Sequence, residues 1–98
     1  MAVVEVSITP LGMGTSVSRY VAGCVKIVRE SGLKYQLTPM GTIIEGDIDA
    51  IFGILRRMHE APFGEGAVRV STLVKIDDRR DRDAHTMEGK VQAVQAKL

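Results

Sequence analysis

The chain has no tryptophan, no asparagine, one cysteine and only four aromatic residues: Tyr20, Tyr35, Phe52 and Phe63. Each shortage excludes something. Four aromatics are too few for a platform that stacks bases. A lone Cys24 can form neither an intrachain disulfide nor a thiolate metal cage, and it suits a reducing compartment. Excess charge of either sign is missing too, since 13 Lys and Arg stand against 12 Asp and Glu for a formal net charge of +1. That balance builds no positive field for a phosphate backbone, so nucleic acid is not an expected partner. No apolar run approaches the ~18 residues needed to span a membrane, and Met1 to Glu5 lack the basic start of a signal peptide. The expected location is the cytoplasm, with no membrane partner.

What is present is the composition of a folded protein, with 45% hydrophobic and 26% charged residues. Ninety-eight residues make one domain, expected to span 1–98. A domain of this size buries only about 65% of its unfolded surface, which favours self-association.

Val4, Val6 and Ile8 alternate with Glu5, Ser7 and Thr9, which predicts a strand over 4–9. Pro10, Gly12 and Gly14 end it in a loop, and Thr15 or Ser16 offers a hydroxyl to cap a helix. Val17, Tyr20, Val21, Cys24, Val25 and Val28 form the apolar stripe of that helix, stopped by Gly32. Strands over 34–38 and 42–45 flank the turn Pro39-Met40-Gly41. Asp47 caps a second helix with a stripe of Ile48, Ile51, Phe52, Leu55 and Met58, ending near His59-Glu60 ahead of Pro62, Gly64 and Gly66. Val68, Val70, Thr72, Val74 and Ile76 alternate in a last long strand, and Met87, Val91, Val94 and Leu98 suggest a short terminal helix with a thin apolar stripe.

The expected fold is therefore α+β, a ferredoxin-like βαββαβ plait with a short C-terminal helix. Its helices cover one face of the sheet. The other face, with Val3, Glu5, Ser7, Thr9, Leu73 and Lys75 as candidates, is expected to be partly buried in an oligomer. Such plaits host many functions, so individual residues must discriminate. Metal carriage through Cys-x-x-Cys is impossible here, and Cys24 reads as core filler. The loop at 10–16 followed by Arg19 could cradle a phosphate as in acylphosphatases, but no Asn exists to position the attacking water. His59 reads as a structural residue at a helix end. His85, in the charged segment, reads as solvated. Asp77, Asp78, Asp81 and Asp83 are interleaved with Arg79, Arg80 and Arg82. These arginines would repel a divalent metal, so the run reads as an ion-pair network at a subunit contact or as an anion clamp at Arg79 and Arg80. No nucleophile with a neighbouring base, metal cluster or cofactor fingerprint can be identified, so no enzyme activity and no cofactor are expected.

Five blocks carry a further signal: Ser18-Arg19-Tyr20-Val21-Ala22, Ser31-Gly32-Leu33-Lys34-Tyr35, Pro39 to Gly46, His59-Glu60-Ala61 and Lys75 to Asp81. In this order they resemble the small thiamine-binding protein family, over about residues 4–82. The resemblance implies a ferredoxin-like, cytoplasmic, homo-oligomeric protein, commonly dimers joined through their sheets and paired into tetramers. It also implies thiamine or its hydroxymethylpyrimidine moiety as the ligand of some members.

The resemblance supplies no ligand map, so candidate residues come from chemistry. An aminopyrimidine needs an apolar slot with a few fixed hydrogen-bonding groups. Glu45 could accept from the exocyclic amine or, protonated, donate to a ring nitrogen. Thr42, Thr38, Gln36, Ser7 and Thr9 could supply neutral partners if the strands share a polar face, and Met40 could cover the ring. Glu45 could equally be held in a salt bridge by Lys34 or Arg69, and the others could be ordinary sheet-surface groups. The expected function is a non-catalytic binding protein for thiamine or a pyrimidine precursor, acting as a homo-oligomer, with an anion- or phospho-group-binding module using Arg79 and Arg80 as the alternative.

Overall fold

The computed structural model describes residues 1–82 and 85–98. Asp83, part of the charged run, lies outside the described residues. The elements are β1 (Ala2–Pro10), α1 (Ser18–Ser31), β2 (Lys34–Thr38), β3 (Gly41–Gly46), α2 (Ile48–Gly64), β4 (Val70–Asp78) and α3 (Met87–Gln95). The strands form one antiparallel sheet in the order β2-β3-β1-β4.

Strand alternation decides the two faces. Ala2, Val4, Val6 and Ile8 pack with Ile44 against Cys24 and Val28 of α1 and Ile51, Leu55 and Met58 of α2. The register then puts Val3, Glu5, Ser7 and Thr9 on the opposite face beside Glu45, Ile43, Lys75 and Leu73. The six residues expected on the uncovered face are all there. One end of it is crossed by α3, because Met87 N–H donates to Glu45 Oε1 at 2.7 Å, Lys34 pairs with Glu88 at 2.6 Å and Lys90 pairs with Asp77.

Helix ends follow local chemistry in most places. Asp47 accepts from the N–H groups of Asp49 and Ala50, and Gly32 takes the left-handed conformation that closes α1. Several expectations need correction. Neither Thr15 nor Ser16 caps α1: its N-cap is Val17, with no side-chain bond. The second helix does not stop at Glu60 but runs through Pro62 to Gly64. A proline there leaves the carbonyl of Met58 without its usual N–H donor. The Cys24 thiol supplies the replacement, with Sγ 3.3 Å from that oxygen. Cys24 thus fills the core as expected and also makes an internal proline tolerable. Finally, His85 is not solvated but 3% exposed, buried where the chain returns to start α3. Its Nε2 stands 3.5 Å from Asp77 Oδ2 with no hydrogen-bond partner.

The C-terminal stripe is also thinner than its spacing suggests, since Met87 is buried while Val91, Val94 and Leu98 are exposed. His59 is structural as expected, though its partners lie across the fold. Its Nδ1 is 2.6 Å from the Thr72 hydroxyl and its ring meets Phe63 edge-on.

Candidate functional site

A cavity arises from a mismatch in strand length. β1 pairs with β3 only from Ala2 to Val6, but with β4 as far as Pro10. Beyond Val6, the edge of β1 that faced β3 has no strand partner, and the backbone groups directed that way must find other partners. The β2–β3 turn closes over this edge, and α1 and α2 form the floor. The result is a cavity of about 260 Å³. Ser7, Thr9, Thr38, Met40 and Thr42 line it, with Cys24 and Met58 from the helices.

Five of the seven residues expected at a ligand site therefore converge, although not in the way their spacing implies. Thr42 sits on the helix-facing side of β3, opposite Val6, rather than on the polar face. It is 4% exposed and makes no side-chain hydrogen bond among those of the described residues, so its hydroxyl enters the cavity with donor and acceptor capacity unspent. The Thr38 hydroxyl is committed to the turn. It donates to the Gly41 carbonyl at 2.8 Å and accepts from the N–H groups of Met40 and Gly41. Met40, on the turn, is among the lining residues and is 82% exposed. The turn also requires glycine at Gly41, where a Cβ would lie 2.9 Å from the Val6 carbonyl oxygen.

Glu45 and Gln36 are elsewhere. Gln36 is exposed on the uncovered sheet face, outside the cavity. Glu45 lies three residues from Thr42, about 10 Å along an extended strand. It is buried beneath α3, where one oxygen accepts from Met87 N–H and the other lies 3.9 Å from Lys34 Nζ. The anticipated Lys34 contact is present, but the principal partner is a backbone amide 42 residues away. Its role is to anchor the C-terminal helix.

The arginines named for an anion are occupied as well. Arg79 engages both oxygens of Asp81 at 2.5 and 3.0 Å, and Arg80 engages Asp78 at 2.7 and 3.1 Å. Each guanidinium strengthens its carboxylate's ionised form and is itself held more firmly protonated. The ion pairs expected in this run exist, and they fill the forks an anion would need. Among the described residues, no three His, Cys, Asp or Glu side chains are grouped to hold a metal. Cys24 is no exposed nucleophile: burial, with a smaller contribution from the Glu65 carboxylate, pushes its thiol up to about 11.

Sequence reasoning missed the unpaired edge of β1, the thiol and thioether floor, and α1 residues Val17 and Val21 at the opening. It also missed the side of Thr42, which shares the strand parity of Ile44 but not of the equally apolar Ile43.

With this geometry in place, comparison with known proteins is informative. A family model described as Thiamine-binding protein matches residues 4–95. The chain belongs to the thiamine-binding protein family. Its relatives include the Bacillus subtilis protein YqgV, 47% identical over the whole of this chain and 98% of the relative. Among solved structures, a hypothetical protein from Methanocaldococcus jannaschii superposes with a TM-score of 0.87 at 38% identity, covering 96% of this chain and 95% of that one. A Thermotoga maritima protein for which a role in thiamine biosynthesis or salvage has been proposed gives 0.80 at 19% identity, covering 95% and 97%. The last likeness concerns the fold alone. No helix among the described residues is long and apolar enough to cross a membrane.

Proposed function

We propose that this protein binds thiamine or its hydroxymethylpyrimidine moiety, without catalysing a reaction, in the cavity between the end of β1, the β2–β3 turn and α1. The frame is read as a ferredoxin-like plait, which the strand order β2-β3-β1-β4 with two helices on one face supports. The observation that carries the ligand reading is the uncommitted Thr42 hydroxyl, open to the cavity on an otherwise buried residue, beside an unpaired strand edge in a chain of this family.

Chemistry makes the match specific. An aminopyrimidine presents an exocyclic N–H donor next to a ring-nitrogen acceptor. A strand residue on an open edge presents the complementary pair, a C=O acceptor and an N–H donor. The ring can lie flat between Val21, Leu37 and Met58, with Thr42 on a second polar atom and Met40 across the mouth. The lining holds hydroxyls, thioethers and a protonated thiol, a set that recognises rather than reacts. The protein is proposed to work in the cytoplasm as a homo-oligomer, with a tetramer of paired dimers as the expected state, because the sheet face bearing the exposed Leu73 is otherwise left to solvent.

Isothermal titration with thiamine, hydroxymethylpyrimidine and the isolated thiazole alcohol tests the reading. At least one pyrimidine-containing ligand should bind at micromolar strength or better, and Thr42→Val should weaken it about tenfold. Absence of heat from all three ligands would reject the proposal. Light scattering on a sizing column reads the oligomer independently.

A further inference from the structure

The cavity continues past α1. Val17, Val21, Leu37 and Thr38 line both it and an open groove of about 840 Å³ that runs along α1 to Lys26 and Arg29. The two compartments differ in electrostatic character. The enclosed part has no Asp, Glu, Lys, Arg or His in its lining, and its thiol is neutral near pH 7. The groove has two cations and no carboxylate in its lining, and neither Lys26 nor Arg29 is in an ion pair among the described residues.

This pattern discriminates between ligands that share one ring. A thiazolium attached to the pyrimidine is a permanent cation, and on leaving the cavity by this route it would meet two like charges and no counter-ion. An anionic substituent would meet two complementary charges. The reach is suitable. Lys26 is five residues beyond Val21, about 7.5 Å along the helix axis. Helical side chains lean toward the N-terminus, so long side chains at these positions extend back over the preceding turn and toward the cavity. Size points the same way, since about 260 Å³ falls just below the ~300–1,000 Å³ that houses drug-sized ligands and suits a single ring.

We infer that the ligand of this site is an aminopyrimidine bearing an anionic substituent, namely a phosphate ester of its hydroxymethyl group, with the ring in the cavity and the phosphate in the groove against Lys26 and Arg29. This rests on the proposed function, and the experiment separates the two. Titrations would compare hydroxymethylpyrimidine, its phosphate monoester, thiamine and inorganic phosphate in the parent and in a Lys26→Gln/Arg29→Gln variant. Circular dichroism would establish that the variant is folded.

The ester should bind about tenfold more tightly than the alcohol at low salt, and the advantage should shrink as the Debye length falls to about 10 Å at 0.1 M. Thiamine should bind less tightly than the alcohol. The double variant should lose the ester's advantage while binding the alcohol as before, and Lys26→Glu/Arg29→Glu should make the ester the weaker ligand. Equal affinity for ester and alcohol in the parent would overturn the inference and leave the pyrimidine reading standing. So would thiamine binding as tightly as the ester, or equal losses for both ligands in the glutamine variant. Failure of alcohol, ester and thiamine alike to bind would overturn the pyrimidine reading itself.

Discussion

Pro62 inside α2 and Cys24 on α1 make a coupled pair whose energy can be measured. The bond from Cys24 Sγ to the Met58 carbonyl substitutes for the N–H that residue 62 lacks, so removing the thiol should matter only while the proline is present. In the parent, Cys24→Ala loses a hydrogen bond and strands a carbonyl, about 1–2 kcal/mol, and removes a buried atom of roughly methylene size, about 1 kcal/mol more. In a Pro62→Ala background the alanine N–H can take the carbonyl in the ordinary helical way, leaving only the packing loss. The double-mutant cycle should therefore show a coupling of about 1–1.5 kcal/mol. Urea unfolding of the four proteins at one fixed protein concentration reads it, since association would otherwise shift the midpoints. With a slope near ~1 kcal/mol/M for a domain of this size, the coupling corresponds to about 1 M in the difference of midpoint shifts. If Cys24→Ala costs the same in both backgrounds, within the ~0.3–0.5 kcal/mol expected of independent sites, the thiol is only a space-filling group and the reasoning fails.

The anchoring role of Glu45 predicts that Glu45→Ala destabilises by about 1–3 kcal/mol through the orphaned Met87 amide. Hydrogen exchange should show Met87 and α3 opening while β1 and β3 stay protected, and pyrimidine binding should be retained; loss of binding with unchanged α3 protection would return Glu45 to the ligand site. The raised Cys24 thiol predicts a pH dependence. Its folded pKa of about 11 exceeds the ordinary 9.0, so the folded state favours the neutral thiol. That contribution to stability is complete below pH 9 and is lost as pH rises through 11. Because lysines and tyrosines titrate in the same range, the quantity to measure is the difference between parent and Cys24→Ala midpoints from pH 8 to 11, and a flat difference would contradict it.

The alternation of Val4, Val6 and Ile8 assigns a strand and its core face because a period of two admits no other regular structure. Asp47 and Gly32 are equally local signals, since a carboxylate at a helix start and a glycine at φ 79° act through their own neighbours. The limits appear wherever the deciding partner is distant in sequence. Pro62 looks like a helix stop until a thiol 38 positions earlier is placed beside it. His85 looks solvated until α3 folds over the sheet. Glu45 is a plausible ligand group only until Met87 claims it.

The cavity shows the same division. Its residue types were legible, because hydroxyls and a methionine around a strand turn suit a flat polar ring. Their convergence was not. It depends on β1 outrunning β3 by four residues, Ser7 to Pro10, a consequence of register that neither strand encodes alone. The adjacent Ile43 and Ile44 also obscure which side of β3 faces the core, so Thr42 could be assigned to the helix side only once its pairing with Val6 was known. The chain by itself determined the elements and the two faces of β1, which rest on periodicity and short-range pattern, and family membership, which rests on the resemblance of its ordered blocks. Tertiary structure alone decided which polar groups remained unsatisfied, because a hydrogen-bonding group acquires a partner, or is left without one, only when segments far apart in the chain are packed together.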